Sequence, residues 1–268
     1  MANQWLEQVN EVLASNFARI GQSQQINSKE DVHFEQDIYF DNYFISEYSR
    51  NEFSILASGR ENMKYAMITV QLRRRQDMFQ LFNSCICPRW YKMKDIVWVE
   101  IPIERPDNTF NSELLVIQKR QIKETFDNMP HLQKIMFNLI PSIQAWNNQE
   151  LPIQIFGENQ ESVDALTGDN RVVDFFINNK HTIMGIHITD QNLYSKNDLV
   201  MKIQFKLDMH EITKWQKIMK DVLYLADYVS KIKISQKTQD EVLKNRKKQL
   251  KSPPLNKKTK STSIKKVQ

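Results

Sequence analysis

The side chains that do chemistry are all present in this chain, but few stand at spacings that would use them. Cys85 and Cys87 flank one residue and precede Pro88. A disulfide across a single residue is strained, and no second cysteine pair exists to complete a zinc site. Two reduced thiols near a helix end are expected, in a reducing compartment. The histidines, His33, His131, His181, His187 and His210, match no metal-ligand spacing. His181 and His187 fall on one expected strand an even number of residues apart and so share a face. No Cys, Asp or Glu joins them at ligand spacing, which favours a structural role. No serine sits in a nucleophile elbow. Glu158, Glu161 and Asp164 share an expected helix and read as a solvated face. Of the five glycines, Gly21, Gly59, Gly157, Gly168 and Gly185, no two are close enough to build a phosphate-cradling loop. No cofactor, metal or enzymatic activity is expected; a site assembled from distant carboxylates would need a deep pocket to converge on.

One constellation does carry a physical message. Lys244, Arg246, Lys247, Lys248 and Lys251 crowd one short segment, and Lys257, Lys258, Lys260, Lys265 and Lys266 continue it. From residue 231 onward the chain holds 13 Lys and Arg against Asp240 and Glu241. The whole chain has 37 Lys and Arg against 32 Asp and Glu, so the first 230 residues are mildly acidic. A basic appendage on an acidic body points to a polyanionic partner, nucleic acid or an anionic membrane. No aromatic residue interleaves these cations, so contact would be to phosphates rather than stacked bases. Ribosomal RNA fits, and an anionic lipid surface fits nearly as well. The triplet Arg73, Arg74 and Arg75 reads as a strand-end turn.

The elements that must carry this appendage follow from hydrophobic spacing. Residues 3–20 place Trp5, Val9, Val12, Leu13 and Phe17 on one helical stripe. Residues 22–42 are polar and acidic and read as a loop. Residues 43–58 are strand-like, with a turn at Ser58-Gly59-Arg60. Residues 64–72 alternate as a strand. Asp77 opens a short helix that Pro88 ends. Residues 95–103 form a β-rich run whose Pro102 marks an edge or a terminus. Residues 114–117 are apolar, and residues 118–138 are helical in pattern with an interruption at Pro130. Residues 163–179 hold one or two short helices around Gly168-Asp169. Strands follow at 181–189 and 199–207.

The strongest helix comes next. Ile212, Trp215, Met219, Val222, Ala226, Val229 and Ile232 trace a single stripe that should dock on a sheet. Residues 236–251 also favour helix but offer only Val242, Leu243 and Leu250 as apolar residues. Such a helix should project into solvent or onto a partner. Its acids come early and its cations late, as the helix dipole prefers. The expected organisation is an α+β domain at 1–234, possibly two subdomains. Its helices pack on a largely antiparallel sheet, followed by a projecting basic helix at 235–252 and a disordered basic tail at 253–268. The longest uncharged stretch, residues 135–149, is too short to span a bilayer.

Taken in order, several segments resemble the cytosolic part of the coiled-coil domain-containing protein 47 family. The first helix, with Trp5 and Leu13-Ala14-Ser15-Asn16-Phe17, is similar to the segment that follows that family's membrane span. Ser58-Gly59-Arg60, Ile68-Thr69-Val70-Gln71-Leu72 and Arg75-Gln76-Asp77 resemble its central strand and the helix start after it. Leu151-Pro152, Asp174-Phe175-Phe176, Asp190-Gln191 and Asn245-Arg246 fall in the same order. The resemblance implies a non-enzymatic PAT complex subunit on the cytoplasmic face of the endoplasmic reticulum membrane. It would assist the biogenesis of multi-pass membrane proteins, its clients. Implied partners are an Asterix-like small membrane protein, the Sec61 translocon and the ribosome, the last met by the basic coil. Lys244, Arg246, Lys247, Lys248 and Lys251 correspond to that coil, and a role in calcium homeostasis is also implied. An RNA-binding or anionic-membrane-binding module without a translocon role is the alternative.

Overall fold

The computed structural model describes residues 2–21, 46–49, 51–72, 95–104, 112–143, 146, 151–191, 199–207 and 213–250. The expected loop at 22–42, the helix opened by Asp77, Cys85, Cys87 and Arg73–Arg75 lie outside these residues, as does the tail. The described helices are α1 (Ala2–Asn16), α2 (Ile122–Asn128), α3 (Leu132–Ile135), α4 (Gln160–Leu166), α5 (Asn170–Asn178), α6 (Trp215–Lys231) and α7 (Gln236–Leu250). The strands are β1 (Arg19–Ile20), β2 (Ser46–Ser49), β3 (Glu52–Arg60), β4 (Met63–Gln71), β5 (Ile96–Ile103), β6 (Leu114–Gln118), β7 (Phe137–Leu139), β8 (Ile153–Gly157), β9 (Ile183–Thr189) and β10 (Leu199–Lys206).

All ten strands join one antiparallel sheet in the order β1-β3-β4-β5-β10-β9-β6-β8-β7, with β2 also on β3. The β9–β10 hairpin inserts between β5 and β6, so the chain's two halves share a continuous sheet. Alternation sorts the faces as the pleat demands. Ala66, Ile68 and Val70 of β4, Val97, Val99 and Ile101 of β5, and Met201, Ile203 and Phe205 of β10 all point into one core. Helices α1, α4, α5 and α6 cover that face. Trp5 of α1 meets Trp215 of α6 edge-on at 5.4 Å, and Trp215 meets Phe205 at 5.6 Å. Such pairs add about 0.5–1.5 kcal/mol beyond burial. On the opposite face, among the described residues, α2 and α3 pack Ile122, Phe126 and Leu132 over Leu115, Ile117 and Phe156 at one end.

Several sequence expectations change, among them the helix expected over 118–138, whose ends lie in β6 and β7. The reversal after β3 falls at Glu61-Asn62, where Asn62 takes φ 63°, and Ser58–Arg60 lie within the strand. Gly59 is required for a different reason. Its φ is 85°, and a Cβ there would come within 2.7 Å of the Ala18 Cβ. Of the two readings of Pro102 the terminus holds and the edge does not: it is the next-to-last residue of β5, an interior strand, beside a register shift between β4 and β5. His181 is exposed and precedes β9, so it does not share a strand face with His187. Strand β8 was not legible as a strand, because Pro152 just before it reads as loop.

Candidate functional site

The basic helix α7 is present where the cations predict it, and its two faces differ. Gln239, Val242 and Arg246 recur at helical spacing along one face, and Lys244, Lys247 and Lys248 along the other. The first face is moored to the body. Ile232 and Ile234 ahead of the helix are buried in the main core, which fixes where α7 begins. Ser235 then stands at the N-terminus. Its N–H and hydroxyl donate to the two Glu161 oxygens at 2.8 Å each, and Thr238 Oγ1 also donates to Glu161. The Thr238 hydroxyl first, and then Ser235, hold the Glu161 carboxyl below its ordinary range. Gln239 is buried and donates to the Ile234 carbonyl at 3.0 Å, while Val242 is 3% exposed.

The second mooring point is Arg246. Its Nε and Nη2 donate to Glu158 Oε1 and Oε2 at 2.7 and 2.5 Å. Its Nη1 and Nη2 donate to Asp190 Oδ2 and Oδ1, both at 2.9 Å. The three side chains are 13%, 4% and 9% exposed, in the order Arg246, Glu158, Asp190. Burial works against the guanidinium charge, but the hydrogen bonds from Glu158 and Asp190 outweigh it and raise the Arg246 pKa. This planar fork matched to two carboxylates is a geometry that lysine cannot reproduce.

Glu113, at the foot of β6, lies against this cluster. It is 1% exposed, accepts from Thr189 Oγ1 at 2.8 Å, and donates its N–H to Glu158 Oε2 at 2.9 Å. Its Oε2 is buried without a partner. Burial pushes its pKa from 4.5 up to about 7; Thr189 and Arg246 oppose the rise, and Glu158 and Asp190 add to it.

The outward face holds Lys244, Lys247 and Lys248, exposed and with no ion pair among the described residues, together with the exposed Lys237, Asp240 and Glu241. Lys251, Lys257, Lys258 and Lys260 lie outside the described residues. The structure therefore separates Arg246 from the lysines it was grouped with: it is turned inward and its charge is taken up by Glu158 and Asp190. Glu158 and Glu161 are likewise no solvated face, since both hold α7. The one available signal was Arg246 itself, the single arginine in a segment otherwise basic through lysine. Nothing in the sequence spacing marked Glu113, Thr189 or Asp190 as its neighbours. Among the described residues no cluster of His, Cys, Asp and Glu could hold a metal, and no helix is long and apolar enough to cross a membrane.

A family model described as PAT complex subunit CCDC47 matches residues 1–265. The chain belongs to this family. PAT complex subunits are associated with the endoplasmic reticulum membrane and with membrane-protein biogenesis. The match extends through α1, the sheet and α7 into the basic tail. No curated protein matches the chain.

Proposed function

We propose that this PAT complex subunit uses α7 to grip the phosphate backbone of ribosomal RNA. Lys244, Lys247 and Lys248 make the contact, and Lys251, Lys257, Lys258 and Lys260 extend it. The observation that carries this reading is the division of α7: Lys244, Lys247 and Lys248 stay exposed while Glu161, Glu158 and Asp190 hold the inner face. A helix held at two points presents its charges in a fixed array, and so loses less entropy on meeting a rigid polyanion. The domain acts as a non-enzymatic adaptor between ribosome and Sec61, with an Asterix-like subunit and multi-pass clients as its further partners. Family membership supports partners in membrane-protein biogenesis in general, and the exposed lysines support the choice of a ribosome contact.

Co-sedimentation with ribosomes across a salt series tests the reading. Log affinity should fall linearly with log salt. Replacing Lys244, Lys247 and Lys248 together by Gln should flatten that slope by roughly 2–3, about one per lost phosphate contact. An unchanged slope would remove the electrostatic grip. Stronger binding to anionic vesicles than to ribosomes would favour a membrane-surface module.

A further inference from the structure

Among the described residues, the face of the sheet opposite the main core is covered by α2 and α3 over β6 and β8. Beside α2, over β9, β10 and β5, lies a cavity of about 690 Å³. Its position traces to one residue. Trp98, Gln204, Gly185 and Ile117 are cross-strand partners in a single row across β5, β10, β9 and β6. Of the four positions only Gly185 lacks a side chain, so the row dips there, between Gln204 on one side and Ile117 on the other. A Cβ at Gly185 would meet only Val116 O at 3.8 Å and Ile117 Cγ1 at 4.0 Å, ordinary contact distances. Neither clash nor positive φ requires glycine here, in contrast to Gly59.

The next row along the sheet is polar. Glu100, Lys202, His187 and Leu115 are cross-strand partners, with Lys202 Nζ 3.2 Å from Glu100 Oε2. His187 lines the cavity, and its Nε2 is buried without a hydrogen-bond partner. Burial, and then the positive fields of His131 and Lys202, lower its pKa from 6.5 to about 4, so the ring is neutral at physiological pH. Among the described residues, the charged lining is Arg120, Lys202 and Glu124, with Glu100 beside Lys202 as its ion-pair partner. Trp98, 43% exposed, stands open at the apolar end of the hollow.

We propose that this hollow binds an anionic amphiphile, its apolar body over Gly185 between Trp98 and Ile117 and its acidic head at Lys202 and His187. The volume lies within the roughly 300–1,000 Å³ of small-molecule sites, which pair an apolar lining with a few convergent polar groups. Lys202 donates to the head group, and His187 as the Nε2–H tautomer supplies the second donor that is now without an acceptor. The head could be the carboxylate of a fatty acid or the phosphate of a lysolipid. Both offer a single anionic group on one acyl chain. The site is independent of α7 and of the ribosome reading.

Titrations of the whole chain with monomeric dodecanoate, lauroyl lysophosphatidate and dodecanol, followed by tryptophan fluorescence and calorimetry, test this. One or both anions should bind saturably at one site, and at least tenfold more tightly than dodecanol. Whichever anion binds more tightly identifies the source of the head group. Trp98→Phe should remove most of the fluorescence change. Gly185→Leu should fill the hollow and abolish binding. Lys202→Met, at a half-exposed position where folding is not at stake, should weaken the anion about tenfold and leave dodecanol unchanged. Equal affinity for dodecanol, no effect of Lys202→Met, or no saturable binding of either anion would overturn the proposal.

Discussion

The guanidinium of Arg246 closes a two-point fork on Glu158, 88 residues earlier in the chain, with hydrogen bonds of 2.7 and 2.5 Å. The pair ties the last described helix to the loop that follows β8. A basic helix with almost no apolar face would otherwise fray into water, since helical propensity alone rarely holds so short a segment. Here the acidic body does meet the basic arm, but through one arginine. Lys244, Lys247 and Lys248 stay exposed.

Removing that arginine leaves two buried carboxylates unpaired. Arg246→Ala should therefore cost about 3–5 kcal/mol, read by urea denaturation. Amide exchange across α7 should accelerate more than in β5 or β10. Arg246→Lys keeps the charge but loses the fork, and should be nearly as damaging. Restoring a neutral cluster, by Glu158→Gln and Asp190→Asn on an Arg246→Met background, should recover much of the loss. Full stability in Arg246→Ala would mean the cluster does not hold α7.

Glu113 and His187 give stability opposite dependences on pH. Folded Glu113 keeps its proton up to about pH 7, against 4.5 ordinarily. Its contribution is complete below pH 4.5 and lost as pH rises through 7. Folded His187 stays neutral down to about pH 4, against 6.5. Its contribution is complete above pH 6.5 and lost as pH falls through 4. Each interval corresponds to about 3 kcal/mol. Between pH 4.5 and 6.5 the two slopes oppose, so the parent protein should show a nearly level profile there. Glu113→Gln should make stability rise with pH across that window, and His187→Gln should make it fall. Denaturant midpoints at four or five pH values suffice to check both.

Glu161 adds a weaker acid limb. Its carboxyl is held ionised by Thr238 and Ser235, so its support for the start of α7 is present above the ordinary carboxylate range and lost in acid. Glu161→Ala should cost about 1 kcal/mol, the scale of a lost helix cap, with exchange rising first at the N-terminal turn of α7.

The two glycines make a matched comparison. Gly59→Ala meets the Ala18 Cβ at 2.7 Å on a backbone of φ 85°, and should destabilise by about 1–3 kcal/mol. Gly185→Ala meets nothing closer than 3.8 Å. It should be neutral or stabilise by about 0.5 kcal/mol through the unfolded chain. Thermal melts of the two variants side by side would distinguish a steric requirement from an open hollow.

Most elements were legible because their signals are local. The stripe from Trp215 to Val229 and the alternation in β4 and β10 state both element type and buried face, and these match the structure. Pro130 marked the break between α2 and α3. Where punctuation and pairing disagreed, the sequence misled. Gly59 looked like a turn because glycine usually makes one, whereas its glycine answers to Ala18, 41 residues away in the chain.

Composition and periodicity by themselves determined an α+β chain with an acidic body and a basic helix near its end. Charge and hydrophobic period are properties of neighbouring residues, so both are legible without a structure. Only the tertiary structure decided that β9 and β10 enter between β5 and β6, bringing Asp190 and Glu158 to one place beneath α7. It alone decided that Arg246 turns inward while Lys237, Lys244, Lys247 and Lys248 stay exposed. The physical reason is that buried charges and cross-strand rows depend on contacts between residues far apart in the chain, and no local pattern encodes those.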